Sequence, residues 1–145
     1  MTRTGVPERA LSKRLPAWAS AVPLARTYVR GRLTNLGQPR EVIETAELIV
    51  SELATNAVVH RTGEVMTVFC GRRGHCLVVA VHDGSPEKPV PGIMPEIDPR
   101  RIENVPNDPG GWGLPLVQAL SRAFWMDVDP EGGGKWVCAA LNTGT

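Results

Sequence analysis

Within SELATNAVVH, Ser51 to His60, an acid, an amide and an imidazole stand four residues apart: Glu52, Asn56 and His60. A carboxylate can take a proton, an amide oxygen can ligate a hard cation, and an imidazole can take a proton or bind a transition metal. On a helix each residue turns by about 100°, so a step of four drifts by roughly 40°. With Val42 set at zero, the apolar stripe of this segment centres near roughly 20–40°. Glu52 then lies at about 280°, Asn56 at about 320° and His60 at about 0°. The line climbs from the edge of the buried face into it, whereas Glu44, Ser51 and Thr55 stay on the far side. An ordinary amphipathic boundary, a metal site and the floor of a ligand pocket all fit that geometry. A transition-metal site fits worst, because neutral Asn is a poor ligand for such ions and HExxH is absent. Oxygen ligation of Mg²⁺ by Asn together with phosphate suits the residue types better.

Two further motifs bear on the choice. The run CLVVAVHD ends in Asp83, followed directly by Gly84, Ser85 and Pro86. An acid where an apolar strand stops offers a fixed acceptor at a pocket mouth, or simply opens a turn. In PGGWGLPLVQAL, Gly110, Gly111 and Gly113 lead into a helix that begins at Leu114. Such glycines let backbone N–H groups and the positive helix end approach phosphate, or they act as a hinge. Neither GxxxxGK[ST] nor a strand-borne GxGxxG is present, so those nucleotide folds are disfavoured. Lys135 follows three glycines but continues into a strand, so it is no P-loop lysine.

The elements that must hold these residues can be read from periodicity. The segment 9–17 alternates and predicts a short edge strand. From Ser20, the apolar positions Val22, Ala25, Val29 and Leu33 predict a helix ending near Gly37. Pro39 then opens a second helix at the first helical position, where its missing N–H costs nothing. Val42, Ile43, Ala46, Ile49, Val50, Leu53 and Ala57 give that helix a core stripe running to about His60. EVMTVFC (64–70) and CLVVAVHD (76–83) read as a hairpin joined by GRRGH. A helix over roughly 114–123 precedes a second hairpin, FWMDVDP and KWVCAAL, joined by EGGG. Residues 84–110 hold seven of the thirteen prolines and no periodicity, the pattern of a functional lid or a disordered segment.

Bulk properties narrow the class. With 145 residues the chain is expected to form one domain over 9–145 after a loose tail over 1–8. Sixteen basic against fifteen acidic residues leave a net charge of +1, which gives no general attraction to nucleic acid or to acidic membranes. Neither a membrane-spanning run nor a signal-peptide pattern occurs, so a cytoplasmic protein is expected. Cys70, Cys76 and Cys138 form no CxxC pair, which argues against zinc and for reduced thiols. Cys70 and Cys76 could face each other across the first hairpin, although filling apolar space is the simpler role.

Taken in order, ELATNAVVH, HDGSP, GGWGL and GGGKWVCAAL resemble the three ATP-binding boxes and closing hairpin of the gyrase, heat-shock chaperone and histidine-kinase ATPase superfamily. Its small single-domain branch, the anti-sigma-factor serine/threonine kinases, is the nearest likeness, over roughly residues 15–142. The resemblance implies an α+β fold, a two-layer α/β sandwich of the Bergerat type. Its mixed, mainly antiparallel sheet would be covered on one face by helices. It implies ATP and Mg²⁺ as cofactors, with Glu52 as general base and Asn56 as metal ligand. Asp83 with Gly84 would hold adenine, and Gly111, Gly113 and Leu114 would line the phosphate side beneath the 84–110 lid. Implied partners are a sigma factor and a STAS-type anti-anti-sigma protein; a homodimer follows by analogy. Two places depart from the pattern. Ser85-Pro86 replaces the second glycine of the adenine box, and Trp136 stands where a Thr commonly follows Gly-Lys. That Trp either narrows the adenine site or points elsewhere. Two functions compete: a protein kinase, which intact Glu52 favours, and a nucleotide-responsive module that sequesters a partner without catalysis.

Overall fold

In the computed structural model, residues 12–60, 63–84, 113–128 and 133–143 are described. The expected edge strand forms as β1 (Ser12–Pro16), followed by a 3-10 turn over Ala19–Ala21. Helix α1 (Val22–Asn35) buries Val22, Ala25, Val29 and Leu33, the four positions spaced along one face. It ends where Gly37 adopts φ +72, a conformation that a glycine takes without a Cβ penalty.

Helix α2 (Arg40–Val59) is the longest element. Pro39 is its N-cap, one position earlier than expected, and its carbonyl accepts the amides of Val42 and Ile43. Glu41 in the first turn complements the positive helix end. No glycine or further proline interrupts the helix, and its apolar residues from Val42 to Ala57 are buried on one side. Burying each Val, Leu or Ile of that stripe contributes roughly 1.5–3 kcal/mol, so Leu53→Ala alone would remove about 2–5 kcal/mol.

The strands β2 (Val65–Arg73) and β3 (Cys76–Asp83) form the first hairpin. β2 runs three residues beyond the expected Cys70, because Gly71, Arg72 and Arg73 find ladder partners in Val78, Leu77 and Cys76. The five-residue link thereby shrinks to Gly74 and His75, with Gly74 at φ +62, which suits a two-residue hairpin turn. Cys70 is opposite Val79 and Cys76 opposite Arg73, so the two cysteines do not face each other. None of the three cysteines forms a disulfide.

Helix α3 (Gly113–Leu120) ends three residues before the expected boundary, and β4 (Ser121–Val128) begins at once. The reason lies in β5 (Lys135–Leu141), whose last residue needs a partner: Ser121 pairs with Leu141, with an irregularity before Ala123. Ser121 Oγ also donates to the Val117 carbonyl at 2.5 Å, closing the helix end.

The sheet order is β1-β2-β3-β5-β4, and every pairing is antiparallel, so the expected mixture of directions is absent among the described residues. All three helices lie on one face: α1 over β1 and β2, α2 over β2, β3 and β5, and α3 over β4 and β5. That is the α+β two-layer sandwich anticipated from the sequence. Alternation along the strands sends Met66, Val68, Leu77, Val79, Val81, Val137 and Ala139 into the core beneath the helices. Phe69, Val78, Ala80, Trp136 and Cys138 pack together on the opposite face. Across the layers, Arg32 Nε donates to the Cys70 carbonyl at 2.9 Å, and Arg30 grips Glu47 of α2 at 2.6 and 3.0 Å. The first ties α1 to β2, and the second ties α1 to α2. Among the described residues, no helix is long and apolar enough to cross a membrane.

Candidate functional site

The polar line of α2 resolves into three different environments. Glu52 is half-buried, and burial alone pushes its carboxyl above the usual glutamate range. Asn56, one turn on, is only 2% exposed, and its Oδ1 has no hydrogen-bond partner among the described residues. His60 does not continue the climb. The helix stops at Val59, and His60 is its exposed C-cap, tied by its own N–H to the Asn56 carbonyl. Two residues of the three therefore face the interior, because the turn that would carry the third inward has already unwound.

An unpaired buried amide oxygen is uncommon in a folded protein and costs about 1–3 kcal/mol when left unsatisfied. Here it sits on the helix that covers β3 and β5. A hard cation or a water on such a cation would satisfy it without burying a protein charge. Mg²⁺ thus fits the group that is present. Among the described residues no cluster of three or more His, Cys, Asp or Glu could hold a metal by itself, so further ligands would have to come from the nucleotide's phosphates or from water.

Asp83 closes β3 on the same face as Val79 and Val81, directed toward the helices. It is 2% exposed and meets Lys135, itself 1% exposed, through an Nζ–Oδ1 ion pair of 3.0 Å. The two are direct cross-strand partners in the β3–β5 ladder. Lys135 is the residue that sequence reasoning passed over. Its signal was parity: along KWVCAAL it shares a face with Val137, Ala139 and Leu141, and that face is the core.

The same parity decides the question about Trp136. Its ring lies on the outer face with Phe69, Ala80 and Cys138 and stacks obliquely on His82, at 5.1 Å between centroids. It does not narrow a site on the helix side. A recess of about 340 Å³, lined by Arg14, Thr67, His82 and Trp136 among others, also belongs to that outer face, away from the polar line of α2.

Backbone geometry holds the pair in place. Gly133 and Gly134 have φ of +74 and +77, and His82 Nε2 lies 3.0 Å from the Gly133 carbonyl oxygen. The turn before β5 is thereby pressed against the end of β3. Of the other expected site residues, Gly84 is exposed just past β3, Gly113 starts α3, and Leu114 is buried in the helix–sheet core. Gly111 and the lid, apart from Gly84, lie outside the described residues, as do Ser85 and Pro86.

Burial pushes the Cys70 thiol up to about 12 and raises that of Cys138 as well, which keeps both protonated and unreactive.

No curated protein matches this chain. A family model does: that of the histidine kinase-like ATPase domain matches residues 15–141, which include all five strands except the first three residues of β1, all three helices, and the residues Glu52, Asn56, Asp83 and Lys135. The chain belongs to the histidine kinase-like ATPase domain family, a family of ATP-binding domains.

Proposed function

We propose that the protein is an ATP-dependent serine/threonine kinase that acts as an anti-sigma factor in the cytoplasm. One observation carries this reading: the buried, unpaired Oδ1 of Asn56 lies one helical turn beyond a half-buried Glu52 whose carboxyl is held above its usual range. Asn56 would hold Mg²⁺, and Asp83 would accept a hydrogen bond from the adenine amino group. When bound, Mg²⁺ supplies charge neutralisation for the transferring phosphoryl group.

Glu52 supplies the base. A Ser or Thr oxygen of the partner bonds to the γ-phosphorus, and the bond from that phosphorus to the β–γ bridging oxygen breaks. The hydroxyl proton passes to Glu52, and ADP leaves. A carboxyl with a raised pKa suits this task, because a stronger base takes a hydroxyl proton more readily. The absence of any hydrogen-bond partner for Glu52 among the described residues leaves its oxygens available for that proton.

The partner we propose is a STAS-type anti-anti-sigma protein, with a sigma factor as the alternative occupant and partner exchange governed by phosphorylation. The test uses labelled ATP with candidate STAS-type proteins from the same genome. The parent should phosphorylate one of them, and Glu52→Gln should slow transfer by about 10²–10⁴-fold while still binding MgATP. A parent that binds a sigma factor yet transfers no phosphate to any candidate would make the non-catalytic sequestering module the better reading.

A further inference from the structure

Arg14 is opposite Thr67, Thr67 is opposite His82, and His82 is opposite Trp136. Four consecutive strands of the sheet thus give one residue each to a single row, on the face away from the three helices. All four line the recess of about 340 Å³ on that face. The row changes character along its length. At the β1 end Arg14 is exposed, a cation with a planar fork of N–H donors, and the Thr67 hydroxyl stands beside it. At the β5 end the rings of His82 and Trp136 meet at 5.1 Å, tilted by 60°. Val65 adds an apolar side chain that is 41% exposed. No acid lines the recess among the described residues. Glu64 lines a neighbouring recess, and Asp127 is opposite Trp136 on β4, beyond the aromatic end.

We propose that this recess is a second binding site, for a small organic anion: a monocarboxylate carried on a flat apolar ring system. The guanidinium fork of Arg14 matches the two oxygens of a carboxylate, and the neighbouring Thr67 hydroxyl can donate to the same group. The ring body packs against His82 and Trp136 at the other end of the row. One fixed cation suits one negative charge. The volume lies near the small end of the range for ligand pockets, about 300–1,000 Å³, which suits a molecule of one or two rings. An arginine on an edge strand also deters pairing with another chain, but that role needs neither aromatic rings nor a cavity spread over four strands. The site is on the opposite side of the sheet from Glu52 and Asn56, so it goes beyond the ATP reading and does not depend on it.

The probe is 2-naphthoate, titrated into the full chain and followed by NMR of the histidine rings. Of the three histidines, His82 lines the recess, whereas His60 and His75 do not. The His82 signals should shift saturably, and those of His60 and His75 should stay in place. 2-Naphthalenemethanol has the same rings without the charge and should bind about fivefold more weakly, the weight of one ion pair open to solvent. Arg14→Met should weaken 2-naphthoate by the same factor, and because Arg14 is exposed the variant should fold as the parent does. Arg122→Met removes an exposed charge from β4 and should bind 2-naphthoate as the parent does. Equal shifts at all three histidines, or shifts that never saturate, would mean an adventitious additive only and would overturn the proposal. So would equal affinity for acid and alcohol, an undiminished affinity in Arg14→Met, or an equal loss in Arg122→Met, which would reduce the effect to net charge. If the His82 signals move when the protein alone is diluted, a second copy of the chain covers this face, and the small-ligand site falls.

Discussion

Gly134 lies against Asp83 so closely that a Cβ on the glycine would collide with the Asp83 carbonyl oxygen. It would also crowd the Gly84 Cα and the His82 ring, each at 3.0 Å. Gly133, its neighbour, has the same left-handed backbone, but no described residue lies within 4 Å of where its Cβ would stand. Gly133→Ala should therefore cost only the backbone strain, about 1–2 kcal/mol. Gly134→Ala should add a packing clash of about 1–3 kcal/mol to that. Urea unfolding of the two variants measures the difference, and equal midpoints would mean that the turn does not press on β3.

The buried pair makes a second prediction. Removing one member strands a charge, so Lys135→Met or Asp83→Leu alone should cost about 3–5 kcal/mol. The double variant should cost much less than the sum, because both charges leave together. A domain of this size has about 5–15 kcal/mol of stability to lose, so the single variants should still fold. Additive losses in a double-mutant cycle would show that the two groups do not depend on each other.

Asn56→Ala should separate stability from binding. The variant loses an unsatisfied acceptor, which is worth about 1–3 kcal/mol in its favour, and gains a small cavity that works against it. Its unfolding free energy should consequently stay within about 1 kcal/mol of the parent's. ATP affinity in Mg²⁺ should fall at least about tenfold, the equivalent of one lost hydrogen bond to a charged group. The gain that Mg²⁺ gives the parent should vanish, and a variant with an undiminished response to Mg²⁺ would remove Asn56 from the site.

Glu52 has a pH signature of its own. Desolvation raises its carboxyl pKa in the folded chain above the ordinary value of 4.5, so the folded state holds this proton more tightly than the unfolded state does. Its contribution is fully present below about pH 4.5 and is lost as pH rises through the raised folded value. Glu52→Gln cannot ionise. Relative to the parent it should gain stability between those two points and keep that gain at neutral pH. Thermal unfolding at pH 4 and pH 8 checks the sign; a variant less stable than the parent at pH 8 would contradict it.

Much of this protein is legible in the sequence, because apolar periodicity is a local property. The faces of α1 and α2 follow from residues three and four apart, and the strand runs follow from β-branched clusters bounded by glycine. Glu52 and Asn56 could be placed by angle alone, since both lie well inside a regular helix. His60 could not, because the point at which a helix unwinds depends on its last carbonyls and not on the stripe. Partners across the sheet were likewise out of reach. Sequence spacing does not say that Lys135 meets Asp83, 52 positions away, or that Trp136 turns to the other face. That outcome needs the register between β3 and β5, and a slip of one residue would have exchanged the two side chains. Tertiary structure fixes that register by pressing Gly134 onto the end of β3, and so decides which residue stands beside the acid.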